Sequence, residues 1–411
     1  MTYADTLAYL FAQLPMYQRV GQAAYKADLA STHSLMKALD HPERGFKSVH
    51  VGGTNGKGSS SHLLSSVFQA AGYKTGLYSS PHLVDFRERI RINGQMIPES
   101  EVVSFVETYK DHFEPLQLSF FEWSVGLAFH HFRKEEVDIA IIEVGMGGRL
   151  DSTNVITPEL SLITNIGMDH AQFLGDSLSK IAQEKAGIIK AGIPVVVSRS
   201  QRETEGVFRK TALGVDAPIT FADQQFPMDV PNCPLMGSYQ KENFQGVLIA
   251  LERLKKLGWK IEDQHITKGF EQVLQNTGLR GRWEILQESP KVICDVGHNV
   301  EGLERLMEQL MAESKEQLHM VLGFVNDKNI GDILDLLPKE AHLYFCEANI
   351  PRALPIDRLQ QAADEKRIEH EAFKDVASAF EAAMAKSVVN DMVFVGGSTF
   401  VVADLLAYLS E

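Results

Sequence analysis

Cysteine is scarce in this chain of 411 residues. The three present, Cys233, Cys294 and Cys346, stand far apart and in no C-x-x-C spacing, which excludes a disulfide framework and a structural zinc site and suits a reducing cytoplasm. Positive charge is also short: 40 Lys and Arg against 54 Asp and Glu leave a formal net charge of −14. Such a surface repels a phosphate backbone, and no local basic stripe offsets it, so nucleic acid is excluded as a general partner. No uninterrupted apolar stretch reaches the roughly 18 residues that a membrane span needs. The N-terminus MTYADTLAYLFAQLP lacks the basic, apolar and small-residue succession of an export signal. The expectation is a cytoplasmic protein without membrane attachment. Internal repeats, low-complexity tracts and long linkers are missing as well.

What is present is the composition of a globular protein with a substantial core, 44% apolar and 23% charged, at a length that suits two domains. Short β-branched runs alternate with amphipathic stretches almost from end to end, the pattern of parallel sheets flanked by helices. The fold class is therefore α/β. Candidate strands in the first part are Lys47 to Val51, Lys74 to Tyr78, Val137 to Glu143, Leu160 to Asn165 and Pro194 to Ser198. The segment Leu83 to Ile97 alternates charged and apolar residues around Asn93-Gly94 and reads as a β-hairpin. A helical period runs from Met236 to Leu257. A second series of strands and helices begins at KVICDV and ends with MVFVGG and a helix from Ser398. The join lies around Arg282 to Pro290, giving domains at 1–288 and 289–411.

The segment SVHVGGTNGKGSSSHLLSSVFQAAG carries the sharpest chemical signal: an apolar strand, a glycine-rich turn with one lysine, then hydroxyls opening a helix. Glycines admit phosphate oxygens close to the backbone, the N–H groups at the helix start point at the anion, and Lys57 adds positive charge. The loop departs from the standard P-loop because Gly58 stands between Lys57 and Ser59. Glu143 ends the apolar run VDIAIIEV just before Gly145, Gly147 and Gly148. Its carboxylate should emerge at the C-terminal edge of the sheet, where open α/β sheets bind ligands, and can hold magnesium there.

The loop GTNGKGS resembles the nucleotide loop of the Mur ligase superfamily, ATP-dependent enzymes that join an amino acid to a carboxylate. LYSSPHLVDFRERIRING, FFEWSVGLAF, IIEVGMGGRLDSTNVI, ITNIGMDHAQFLG, IAQEKAGIIK, GRWE, DVGHNVEG and VGGSTFVVADLL narrow the resemblance to folylpolyglutamate synthase, including the bifunctional dihydrofolate synthase form of bacteria. It runs from about residue 45 to the C-terminus, in the family's order. The implied fold is a P-loop-type parallel-sheet ATP-binding domain, which also binds folate, followed by a smaller Rossmann-like α/β ligase domain.

By this resemblance Thr54, Asn55, Gly56, Lys57, Gly58 and Ser59 cradle ATP, and Asn243, Arg282 and Asp295 match further nucleotide contacts. Ser80 becomes the magnesium-linked serine beside Glu143. In GMDHAQFLG the preference of magnesium for hard oxygen selects Asp169, whereas the resemblance implies His170; the family reading is adopted, with Asp169 as its partner. Lys185 in EKAGI matches a lysine that is carbamylated in similar proteins, a reaction that requires the neutral amine. His298, with Asn299, is implied to position the incoming amino acid or a nearby phosphate. Phe121 and Asp151 match positions for a pterin-bearing substrate, and Arg149 is a candidate for its anionic part. Gly396, Gly397 and Ser398 suit either an anion site for the glutamate carboxylates or a close helix-on-strand contact that needs glycine.

The activity implied is ATP-dependent addition of L-glutamate to folates and to dihydropteroate through an acyl phosphate. The catalytic set is Lys57, Glu143, His170, Lys185 and His298, with one or two magnesium ions and a monovalent cation as a further candidate. The resemblance also implies a monomer. Three other readings are weaker: a peptidoglycan-type Mur ligase, for whose UDP-sugar domain the roughly 50 residues before Gly53 leave no room; a kinase; and a non-catalytic nucleotide-binding protein.

Overall fold

In the computed structural model, residues 1–13 and 28–410 are described. They divide into two compact units, Met1–Pro234 with Gln240–Leu279, and Leu235–Tyr239 with Arg280–Glu411.

The first unit is built on a sheet of eight strands among the described residues: β1 (Lys47–Gly52), β2 (Thr75–Tyr78), β3 (Ile90–Ile92), β4 (Gln95–Met96), β5 (Ile139–Glu143), β6 (Leu160–Ile163), β7 (Val195–Val197) and β8 (Ile219–Phe221). Their order is β4-β3-β2-β5-β1-β6-β7-β8. All neighbours are parallel except β2 with β3 and β3 with β4. Strands β5 and β6 are buried at every position, as expected where helices cover both faces of a parallel sheet. Helices Gln240–Lys256 and Asp263–Glu271 pack on helix Lys57–Ala70. A cluster containing Phe105, Phe113, Trp123, Phe129 and Phe132 forms another part of the core. Phe113 meets Trp123 edge-on, with ring centroids 4.9 Å apart. Truncating a ring such as Phe129 to alanine would cost about 3–5 kcal/mol.

The hairpin expected around Asn93-Gly94 is β3–β4, with both turn residues at positive φ, 48° and 76°, as a two-residue type I′ turn requires. Helix Phe120–Lys134 starts with a capping box, in which Ser119 Oγ accepts from the Glu122 N–H and Glu122 Oε2 from the Ser119 N–H. Local sequence pattern does not mark the short strand β8, nor the two-residue strand Glu371–Ala372 of the second unit.

The second unit carries a sheet of β9 (Glu284–Glu288), β10 (Lys291–Cys294), β11 (Leu318–Leu322), β12 (His342–Phe345), β13 (Glu371–Ala372) and β14 (Met392–Gly396), in the order β13-β12-β11-β14-β10-β9. Only β9, at one edge, is antiparallel to its neighbour. That pairing places residues 284–288 in the second unit, so the division falls between Leu279 and Arg280 and not after residue 288. Leu235–Tyr239 also joins this unit instead of opening the helix that follows it, which begins at Gln240. The Ser238 N–H donates to Gln309 Oε1 at 2.6 Å, and Gln309 Nε2 donates to the Met236 carbonyl at 3.1 Å.

Candidate active site

Strand register brings the first group of candidate residues to one edge of the first sheet. Val51 pairs with Glu143 and Gly52 with Ile163, so the turn after β1, the end of β5 and Thr164-Asn165 after β6 emerge side by side. The turn is held from beneath. The Thr54 N–H donates to the Asn165 carbonyl at 2.8 Å, the Asn55 N–H to Asn165 Oδ1 at 2.7 Å, and Thr164 Oγ1 to the Asn55 carbonyl at 2.6 Å. Gly56 has φ 87°, and a Cβ there would lie 2.1 Å from Asn243 Oδ1; one at Gly53 would lie 1.9 Å from Thr164 Oγ1. Glycine is required at both positions by contact and by conformation. Thr164, Asn165 and Gln240 were not singled out from the sequence. A polar pair directly after a buried strand was the available signal for the first two.

Asn243 and Ser59 are both buried. Asn243 Nδ2 donates to Gln240 Oε1 at 2.8 Å and Gln240 Nε2 donates to Ser59 Oγ at 3.0 Å. The two expected nucleotide contacts thus meet as supports of the loop. Lys57 opens helix Lys57–Ala70, and its ammonium donates to the carbonyls of Gly53 at 3.2 Å and Thr54 at 3.0 Å.

Lys185, near the end of helix Leu178–Ala186, reaches the same loop. Its side chain is buried and donates to the Gly53 carbonyl at 2.7 Å. Burial, with the Lys57 ammonium nearby, pushes its pKa down to about 7. Two glycines set this approach. A Cβ on Gly148 would lie 2.9 Å from the Glu184 carbonyl oxygen and 3.0 Å from Lys185 Cα, and one on Gly187 2.4 Å from Arg149 Cα.

Glu143 is buried, and its Oε2 accepts from the Ser80 N–H at 3.3 Å. The expected pair is therefore together, a carboxylate beside a hydroxyl-bearing residue. Among the described residues no three His, Cys, Asp or Glu side chains gather as a metal cage. One carboxylate and a serine fit magnesium, which binds protein through one or two carboxylates and completes its shell with water and phosphate oxygens. His170 has φ 50°. Its N–H donates to Asp169 Oδ1 at 2.9 Å, and its Nε2 lies 3.9 Å from Asp169 Oδ2.

Asp151 is buried and binds its own loop. Oδ1 accepts from the Thr153 N–H at 3.0 Å and the Thr153 hydroxyl at 2.5 Å, while Oδ2 accepts from the Met146 N–H at 2.8 Å. Burial pushes its pKa up, against the pull of these bonds. A Cβ on Gly145 would meet the Phe121 ring at 2.4 Å and Asp151 Oδ2 at 3.1 Å, so ring and carboxylate flank one glycine. Arg149 forks onto Glu184 Oε1, at 2.9 Å from Nη2 and 3.3 Å from Nε.

In the second unit Asp295 is buried in a network of its own. Oδ2 accepts from the Tyr239 hydroxyl at 2.5 Å and the Trp283 N–H at 2.7 Å, and Oδ1 accepts from the Gly297 N–H at 2.8 Å. Burial pushes this carboxyl up as well, and pushes the Tyr239 phenol far above its ordinary range. Arg282 Nη1 donates to the Gly281 carbonyl at 3.2 Å. His298 Nδ1 lies 3.0 Å from the Val296 carbonyl, and Asn299 caps helix Val300–Ala312 by accepting from the Gly302 N–H. Ser398 is the N-cap of helix Thr399–Tyr408, and a Cβ on Gly397 would lie 2.8 Å from the Gly323 carbonyl oxygen. The close backbone packing that these glycines suit is present.

A glycine-rich loop at the sheet edge, two lysines on its Gly53 carbonyl and the Glu143 carboxylate beside Ser80 thus gather at the ends of the central strands. Residues 51–203 match the Mur ligase middle domain, and residues 281–399 match the Mur ligase, glutamate ligase domain. The chain is 34% identical to the dihydrofolate synthase/folylpolyglutamate synthase of Bacillus subtilis, across 92% of this chain and 94% of that protein. The structure of E. coli FolC in complex with DHPP and ADP superposes with a TM-score of 0.87 at 29% identity, covering 100% of this chain and 98% of the other. A bifunctional folylpolyglutamate synthase/dihydrofolate synthase with Mn, AMPPNP and L-glutamate bound gives 0.85 at 28% identity, covering 100% and 98%. The chain belongs to the dihydrofolate synthase/folylpolyglutamate synthase family. Among its described residues no helix is long and apolar enough to cross a membrane.

Proposed function

We propose that this chain is an ATP-dependent ligase that adds L-glutamate to the carboxylate of folates and of dihydropteroate. The observation that carries the reading is the convergence of Lys57 and Lys185 on the Gly53 carbonyl, at the sheet edge where Glu143 and Ser80 meet. The backbone of residues 54–59 and the Lys57 ammonium bind the ATP phosphates. Glu143 and Ser80, with His170, would hold magnesium, which when bound neutralises charge on the β- and γ-phosphates. The substrate carboxylate attacks the γ-phosphorus and ADP leaves. The glutamate amine then attacks the acyl carbon, loses a proton and expels phosphate.

Most of the catalytic power comes from placement and charge. Lys185, whose amine is about half neutral near pH 7 for the reason given above, bonds carbon dioxide through its nitrogen, releases a proton and becomes a carbamate anion that pairs with Lys57. Phe121 stacks on the pterin, Asp151 accepts from its ring donors and Arg149 meets the anionic tail. In the second unit Arg282 and Asp295 contact nucleotide, and His298 and Ser398 serve the amino acid substrate. A monovalent cation is a further candidate cofactor.

The test is to incubate the protein with Mg-ATP, L-glutamate and either dihydropteroate or tetrahydrofolate, and to weigh the products. Gain of one glutamate on both acceptors is expected. ATP binding with no glutamate on either acceptor would overturn the folate assignment.

A further inference from the structure

His50 lies in the middle of β1, fully buried between Val49 and Val51. An imidazole so placed costs stability unless it is hydrogen-bonded. Its Nε2 lies 2.9 Å from Thr153 Oγ1, which lies 2.5 Å from Asp151 Oδ1. The direction of both bonds follows from the groups. Asp151 already receives backbone N–H groups on both oxygens, so it is the acceptor and the Thr153 hydroxyl spends its proton on it. Thr153 Oγ1 then accepts from His50, which must carry its proton on Nε2. The other nitrogen, Nδ1, is a bare lone pair, and it is buried without a partner among the described residues. An orphaned lone pair is the cheaper of the two tautomeric outcomes. Burial, with Lys190 nearby, pushes the His50 pKa down to about 3, so the ring stays neutral.

We propose that His50 and Thr153 are positioning residues for the pterin-bearing substrate: a one-way chain from imidazole through hydroxyl to carboxylate pins Asp151 Oδ1 and so presents Oδ2 beside the Phe121 ring. The proposal rests on the reading that Asp151 meets the pterin. Its geometric support is that Oδ2 and the ring edge border the same space at Gly145, within 3.1 Å and 2.4 Å of one Cβ position. Without the chain, Asp151 keeps its backbone donors but loses the shortest donor on Oδ1.

The experiment compares Thr153→Val, Thr153→Ser, His50→Gln, His50→Leu and Asp151→Asn. Thr153→Val should raise KM for dihydropteroate about tenfold with KM for ATP unchanged, the scale of one buried hydrogen bond to a charged group. Thr153→Ser should restore KM, and His50→Gln, which keeps a donor, should fall between wild type and His50→Leu. Nitrogen-15 NMR of the intact enzyme should show His50 protonated on Nε2 across roughly pH 5 to 8. An Nδ1-protonated ring, or a Thr153→Val enzyme with both KM values unmoved or moved equally, would overturn the relay. If Asp151→Asn raises KM for dihydropteroate and Thr153→Val does not, the relay falls and the reading of Asp151 stands. If Asp151→Asn leaves that KM unmoved, the reading of Asp151 itself falls, and the proposal with it.

Discussion

Replacing Lys185 with methionine should make the protein more stable and inactive. The folded structure holds this lysine at about 7, against an ordinary 10.5, because burial and then Lys57 disfavour the ammonium. The sign follows directly. Below about pH 7 both folded and unfolded chains are protonated at this position, and the folded state bears the whole penalty. Between about 7 and 10.5 the unfolded chain binds the proton and the folded one does not, so stability rises with pH until the penalty is gone. The drop in pKa corresponds to about 5 kcal/mol at 1.36 kcal/mol per unit. Methionine is of similar length and fills the space without a charge. In carbon dioxide-free buffer, urea denaturation near pH 6 should therefore show Lys185→Met ahead of wild type by several kcal/mol. The gap should close toward pH 10, and ligation should be lost at every pH. With labelled bicarbonate near pH 7, wild type should show a carbamate signal that the variant lacks. Parallel stability profiles for the two proteins would refute the reasoning.

Lys57→Ala should abolish ligation while leaving circular dichroism and denaturation midpoint close to wild type; retention of most activity would remove Lys57 from the phosphate site. Gly56→Ala must fit a Cβ 2.1 Å from Asn243 Oδ1 at a φ of 87°, and should lose about 1–3 kcal/mol in chemical denaturation. A change within about 0.5 kcal/mol would mean the loop moves freely. Tyr239→Phe removes the 2.5 Å donor to Asp295 and should cost about 1.5–3 kcal/mol, since a buried carboxylate then has one partner fewer. Unchanged stability in that variant would show that the network is not fixed by the phenol.

The α/β alternation, the central strands and the Asn93-Gly94 hairpin were legible because each rests on local pattern: buried apolar runs and a turn that demands positive φ. The loop at Gly53–Lys57 was legible for the same reason. β8 and β13 were not, because strands of three and two residues carry no periodicity. The unit boundary was misplaced because β9 reads EILQE with exposed alternate positions, and only its pairing with β10 assigns it. Ser59, Asn243 and Asp295 are implied as nucleotide contacts by the resemblance. Their neighbours in the fold, Gln240 for the first two and Tyr239 and Trp283 for the third, were not legible, because residue type does not reveal such partners. His50 was passed over inside an apolar run, although a buried polar residue in a central strand is itself a sign that something must satisfy it.

The contact at Gly148 and Gly187 is backbone against backbone. Side chains of the neighbouring core, such as Ile181 and Ile188, can change volume and settle into new rotamers, but two main chains in contact have little slack to give. The pair works as a mechanical stop, against which the end of helix Leu178–Ala186 is seated. Sequence drift in the surrounding core is thereby uncoupled from the distance between Lys185 and the phosphate loop, and the tolerance of that distance is set by two missing methyl groups.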